Sequence, residues 1–240
     1  EALARAGIEA DKAHLDTVET QLGVAVANYD LSAIDALLRK DVQANSRISL
    51  DSTGTTVLGL AASQGQEAAA RLLLAHCADP DLANLTGHTP LHVACHRAHA
   101  SMASLLLQHG ANPDLQSSQG DSALMVASHK GHVEVVVELL RFGADCNLRS
   151  APPEMDTALI HACTKGHEAI ARLLLQHRAR TDFRSSQRRR TAMEWADNYN
   201  RRDIVRLLRE HERLDFSRGD AAAAVHAETT ETPLRLEQAK

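Results

Sequence analysis

The chain has 240 residues, a net charge of −5, and an aromatic content of only 2%. That balance gives no global pull toward nucleic acid or an anionic membrane, and a core built from Leu, Ala, Ile and Val disfavours a β-sandwich or barrel. No apolar run approaches the roughly 18 residues that a bilayer span needs.

Read in chain order, residues 1–14 are Ala-rich, with Leu3 and Ile8, and predict a leading or capping helix. The sequence opens on Glu1 rather than Met, so the absence of a targeting segment carries no weight. Over residues 15–211 a Thr or Ser then anchors a recurring pattern at Thr20, Thr56, Thr89, Ser122, Thr157 and Thr191. The spacings are 36, 33, 33, 35 and 34 residues. A period near 33 marks stacked helix pairs whose core forms between neighbours, with units expected near 15–47, 51–83, 84–116, 117–149, 152–184 and 186–211.

The third unit shows the logic most clearly. Asn84-Leu85-Thr86-Gly87 is turn chemistry, Thr89 can cap a helix through its hydroxyl, and Pro90 suits the first helical position. A short helix from Leu91 to about His96 is expected, then a tight reversal at Ala98-His99. A second helix from about Ser101 to His109 buries Met102, Leu105 and Leu106, and Gly110 stops it in the left-handed conformation. Asp41, Cys77 and Arg178 stand at that stop in other units, where a side chain strains the turn by about 1 kcal/mol. Two junctions run long. One lies around Ile48 to Thr53 with Leu50 expected exposed; the other, Asn147 to Thr157, carries Pro152-Pro153-Glu154 and an expected exposed Met155.

This pattern resembles the ankyrin repeat family. The residues that carry the resemblance are Gly87-x-Thr89-Pro90-Leu91-His92-x-Ala94, Gly131-His132, Gly166-His167 and endings such as Leu105 to Ala111. It implies an all-α solenoid of helix-turn-helix units joined by β-turn fingers and stacked into a slab with a concave face. The last unit is polar, with Arg206 and Arg209 on its second helix, as a terminal cap should be. Residues 212–240 lose hydrophobic periodicity and read, taken alone, as a mobile polar tail.

The cysteines Cys77, Cys95, Cys146 and Cys163 form no CxxC pair. They are expected as reduced core thiols, which points to a cytoplasmic protein, with nuclear or cytoskeletal association as alternatives. The glycosylation triplet Asn84-Leu85-Thr86 is the one contrary hint. His92, Cys95, His96 and His99 form the densest group of metal-ligand types, but the resemblance assigns His92 to turn backbone and Cys95 to the stack, so no metal or other cofactor is expected. His167-Glu168 opens a zinc-protease-like string that Ala171 fails to close, and no phosphate-binding glycine loop is present. No enzyme and no small-molecule substrate are expected.

The resemblance places Arg97, Lys130 and Lys165 at one inner position of three consecutive units, with Gln64 before and Tyr199 after. With Arg188-Arg189-Arg190 they form a basic strip that suits an acidic peptide or helix, with Tyr199 or Trp195 as an anchor. The same residues also serve plain solubility. Nucleic acid fits poorly, because aromatics for base stacking are nearly absent. The expected partner-binding residues are Leu85, His88, His96, Arg97, Gln119, Asp121, His129, Lys130, Met155, Asp156, Lys165, Arg188, Arg190 and Tyr199. The function expected is that of a non-catalytic adaptor or scaffold binding a partner protein. The alternative is a structural subunit of a large assembly, held by its convex side and tail.

Overall fold

A computed structural model describes residues 18–40, 42–47, 53–186 and 189–214. Among them twelve helices run in sequential pairs: α1 (Val18–Ala27) with α2 (Leu31–Leu38), α3 (Val57–Gln64) with α4 (Glu67–Ala75), α5 (Pro90–His96) with α6 (Ala100–Gln108), α7 (Ala123–Lys130) with α8 (Val133–Arg141), α9 (Ala158–Lys165) with α10 (Glu168–Gln176), and α11 (Ala192–Asn198) with α12 over 202–214. The β-structure of the described residues amounts to two isolated bridges, Arg47 to Thr56 and Gln116 to Ser122, at the bases of fingers. The fold is an all-α solenoid. No helix among the described residues is long and apolar enough to cross a membrane.

The helix boundaries follow from local chemistry. The hydroxyls of Thr56, Ser122, Thr157 and Thr191 each accept from the backbone three residues on, capping α3, α7, α9 and α11. At α5 the cap is reciprocal, because Thr89 and His92 each satisfy the other's backbone N–H, and Pro90 fills the first turn. The first unit departs from this pattern. Thr20 lies inside α1, which already runs at Val18, so it is a buried helical residue and not a cap.

Each pair ends its first helix at a left-handed residue: Tyr29, Gly65, Ala98, Gly131, Gly166 and Asn200 all have φ between 56° and 86°. At the ends of the second helices the same conformation falls on Cys77, Gly110, Gly143 and Arg178. The expected strained stops at Cys77 and Arg178 therefore stand, whereas Asp41 lies outside the described residues, as do Leu50, Arg188, the leading segment 1–14 and everything past 214.

Identical columns of side chains make the core. Leu58, Leu91, Leu124 and Leu159 are at most 2% exposed, Ala61, Ala94, Ala127 and Ala162 are fully buried, and so are Leu73, Leu106, Leu139 and Leu174 on the second helices. The small alanine column lets neighbouring first helices pack closely against one another. Truncating one of the buried leucines to Ala costs about 2–5 kcal/mol.

The fingers are tied together by two independent series of hydrogen bonds. At the tips, the backbone N–H groups of Leu85, Ser118, Ala151 and Ser186 donate to the carbonyls of Thr53, Thr86, Gln119 and Glu154 in the preceding finger, at 2.8–3.1 Å. At the bases, side-chain oxygens of Asn45, Asp81, Asp114 and Asn147 accept from the backbone N–H of Asp79, Asn112, Asp145 and Arg180, at 2.6–2.9 Å. The stack is thereby held by polar contacts along one edge and by apolar columns through its middle.

Candidate partner-binding face

The first helices and the fingers together present one continuous face. Gln64, Arg97, Lys130, Lys165 and Tyr199 occupy the same place at the end of successive first helices, and Arg97, Lys130, Lys165 and Tyr199 are exposed. The residues just before the helix caps form a second line at the other edge: Thr55, His88, Asp121, Asp156 and Arg190. Between the two edges lie Val93, Val126 and His161, each partly buried, with the buried Leu60 at one end. Two hollows open along this face. One of about 480 Å³ is lined by Leu60, His88, Val93, His96 and Arg97 among others. The next, of about 210 Å³, is lined by His88, Asp121, Val126, His129, Lys130 and His161.

Over the middle units the two edges carry opposite charge, Lys130 and Lys165 facing Asp121 and Asp156, while the finger edge ends on the basic Arg190. Burial chiefly holds the His96 and His129 imidazoles below the usual histidine range, with Lys130 and Arg97 adding to the effect on His96 and Lys165 and Lys130 on His129. His161 is pushed down to about 4 by burial and by its neighbours His129 and Lys165, and its ring meets the His129 ring edge-on at 5.3 Å. On the finger edge, burial raises Asp121, and the nearby Glu154 carboxylate adds to the effect. Asp156 is raised to about 6 by burial and by repulsion from Glu154 and Asp121, and its Oδ1 is buried with no hydrogen-bond partner. The sequence lists Asp121 and Asp156 singly; that they share a wall with Glu154 is visible only once the fingers stack.

The remaining expected contacts fall in several environments. Leu85 is 65% exposed at its fingertip and its backbone joins the tip series, as does the carbonyl of the exposed Gln119. The Nδ1 of His88 shares a hydrogen bond of 2.8 Å with Thr86, and Asn84 Oδ1 accepts from the backbone of Thr86 and His88. The triplet Asn84-Leu85-Thr86 is thus a self-bonded turn. His92 is 1% exposed and spans two units, bonding Thr89 Oγ1 through Nδ1 and the Asp121 carbonyl through Nε2, both at 2.9 Å. His99 and His167 reach back to the carbonyls of Ser63 and His129. Cys95 is fully buried. These histidines are therefore engaged as struts between units.

Two expectations are corrected. Met155 is not an exposed prong. It is partly buried with φ of 53°, at the place that Gly54, Gly87 and Gly120 hold in other fingers, so the backbone's left-handed turn and not the thioether explains its setting. Cys77 is not a core thiol, since its position at the end of α4 leaves it exposed, while Cys95, Cys146 and Cys163 are buried. A stacked group at the far end of the face was only partly foreseen. The Trp195 and Tyr199 rings lie 5.8 Å apart and nearly parallel, Arg190 sits 5.2 Å over the indole, and Trp195 Nε1 donates to Ser185.

A family model described as ankyrin repeats, in three copies, matches residues 22–117, 74–150 and 124–220. No curated protein matches the chain. Ankyrin repeats are in general protein–protein interaction modules and typically non-catalytic. Spanning nearly the whole described solenoid with those matches, the chain belongs to the ankyrin-repeat family.

Proposed function

We propose that this chain is a non-catalytic adaptor or scaffold that holds a partner protein against its first-helix face and fingers, within the cytoplasm. The observation that carries the reading is the aligned, exposed row Arg97, Lys130 and Lys165, of which Arg97 and Lys130 each edge one of two consecutive hollows whose linings include Val93 and Val126. Long side chains with no core duty, repeated at one position of a rigid stack, supply a steering field and a register at once. Tyr199, 47% exposed and stacked on Trp195, offers the rigid aromatic surface that binding hot spots favour. His96 and His129, which flank the floor, contribute polar contacts, and the exposed fingertip residues Leu85 and Gln119 extend the face.

The second reading, a structural subunit held by its outer side, draws on Val133 and Val137. They sit one turn apart on α8 and are 38% and 41% exposed. Photo-crosslinkers placed singly at Val126 and at Val137 separate the two. Partner polypeptides crosslinked from Val126 and lost in R97E/K130E/K165E are the expected result. Crosslinks from Val137 alone, unaffected by that triple variant, would replace the first reading with the second.

A further inference from the structure

The charge pattern of the face specifies more than an acidic ligand. Asp121 and Lys130 line the same hollow, at opposite ends of α7, with Val126 between them. Asp156 and Lys165 repeat that arrangement on α9, with His161 between them. Each acid stands nine positions before its base, across an extended cap residue and an eight-residue helix that rises about 10.5 Å at 1.5 Å per residue, so the edges are at least about 10.5 Å apart. One α-helix with its side chains, about 10–12 Å across, fills that width. Along the stack, neighbouring first helices are about 8–10 Å apart, close to the roughly 10.5 Å rise of seven helical residues. A guest helix can therefore present one residue to each unit at heptad spacing.

Resting on the binding reading above, we infer that the groove takes one amphipathic helix of a partner protein laid along the stack. Its apolar stripe covers Val93, Val126 and His161; an acidic flank meets Arg97, Lys130 and Lys165; and a basic flank meets Asp121 and Asp156. The finger wall is prepared for a cation. The Asp156 carboxylate lies half-buried among the like charges of Glu154 and Asp121, and an incoming Lys or Arg beside it offsets that repulsion. Arg149 also acts on Asp156 from the finger base, but its Nε and Nη2 donate to the carbonyls of Met155 and Arg184 and not to the carboxylate. Because the two edges differ in sign, they also fix which way the guest helix runs: reversing it would exchange its flanks.

Three stapled 21-residue peptides of matched helicity test this on the whole chain by fluorescence anisotropy. All carry the same Leu stripe; one has a Glu flank and a Lys flank, one Glu on both flanks, one Lys on both. The two-signed peptide is expected to bind at least tenfold tighter than either single-signed one, and the all-Glu peptide should become the preferred ligand of D121K/D156K. If the all-Glu peptide binds the unaltered chain as tightly as the two-signed one, and R97E/K130E/K165E abolishes both, the two-signed groove is overturned while the basic face stands. If no peptide distinguishes the unaltered chain from R97E/K130E/K165E, both readings fall.

Discussion

A Cβ added to Gly120 would stand 2.0 Å from the backbone nitrogen of Ala151. That nitrogen donates to Gln119 in the tip series, so the two fingers meet backbone to backbone and only glycine leaves room. Gly110 also has positive φ, yet nothing lies within 4 Å of its added Cβ. G110A should therefore cost about 1 kcal/mol, the conformational penalty alone. G120A should cost about 3 kcal/mol or more, since the tip bond must break or the fingers must part. Equal urea midpoints for the two variants would show that the tip contact is not rigid.

The lengthened finger keeps its place in that series by a simple device. In the shorter finger, Ser118 donates backward and its neighbour Gln119 accepts forward; in the long one Ala151 donates backward and Glu154 accepts forward. The two residues between them, Pro152 and Pro153, are exposed and make the whole difference in length. Deleting both should rejoin Ala151 to Glu154 in the short-finger register, and change stability by no more than about 0.5 kcal/mol. A loss of several kcal/mol would mean that the prolines support the finger.

The repeat, its caps and its core columns were legible in the sequence because each is a local rule restated at a period of about 33. Thr89-Pro90, the Leu105-Leu106 pair and the Gly110 stop each state their own conformation. What stayed hidden depends on stacking. Asp121 lies a full repeat from Glu154 and Asp156, so nothing in the sequence announces a shared wall, and the raised pKa values of Asp121 and Asp156 exist only after the fold buries them. Met155 misled for a related reason: a large apolar residue beside two prolines suggests a protruding contact, but alignment on Thr157 places it in glycine's left-handed position. The counterpart was Cys77, whose stop position already implied exposure that a cysteine's usual burial concealed.

Cys77 should be the single fast thiol among the described cysteines. Burial pushes the Cys163 thiol up to about 12 and raises Cys95 and Cys146 as well, so three sulfurs are both covered and protonated at neutral pH. A thiol-specific chromogenic reagent should label one equivalent rapidly in native protein and four in urea. C77G should abolish the fast equivalent, and should also raise stability by about 1 kcal/mol through relief of its left-handed backbone.

His92 should make the fold acid-labile. Its pKa, pushed down to about 4 mainly by burial, lies below the 6.5 of the free side chain, so the unfolded chain takes up the proton first. Its contribution is complete above about pH 6.5 and is lost as pH falls toward 4, and His161 acts with the same sign. H92A should cost about 2–4 kcal/mol at pH 7.5, through the cavity and the lost bonds to Thr89 and Asp121. It should also flatten the fall of the urea midpoint between pH 6.5 and 4. An unchanged slope would remove His92 from the acid response.

Asp156 works in the opposite direction. Its folded pKa of about 6 lies above the ordinary 3.8, so the ionised carboxylate opposes folding at neutral pH, and that penalty fades as pH falls from about 6 to 4. D156N removes the charge while keeping the shape, and the buried Oδ1 has no hydrogen-bond partner to lose. The gain should be on the order of 1 kcal/mol at pH 7.5, discounted because the group remains partly solvated, and should vanish near pH 4. The same variant should lose affinity for a guest helix bearing a Lys flank. A residue that weakens the fold while strengthening a contact is what a binding wall requires, since its charge is tolerated for the ligand it meets. If D156N gains no stability at pH 7.5, the crowding of Asp121, Glu154 and Asp156 carries no strain, and the finger wall loses its claim to be a prepared cation seat.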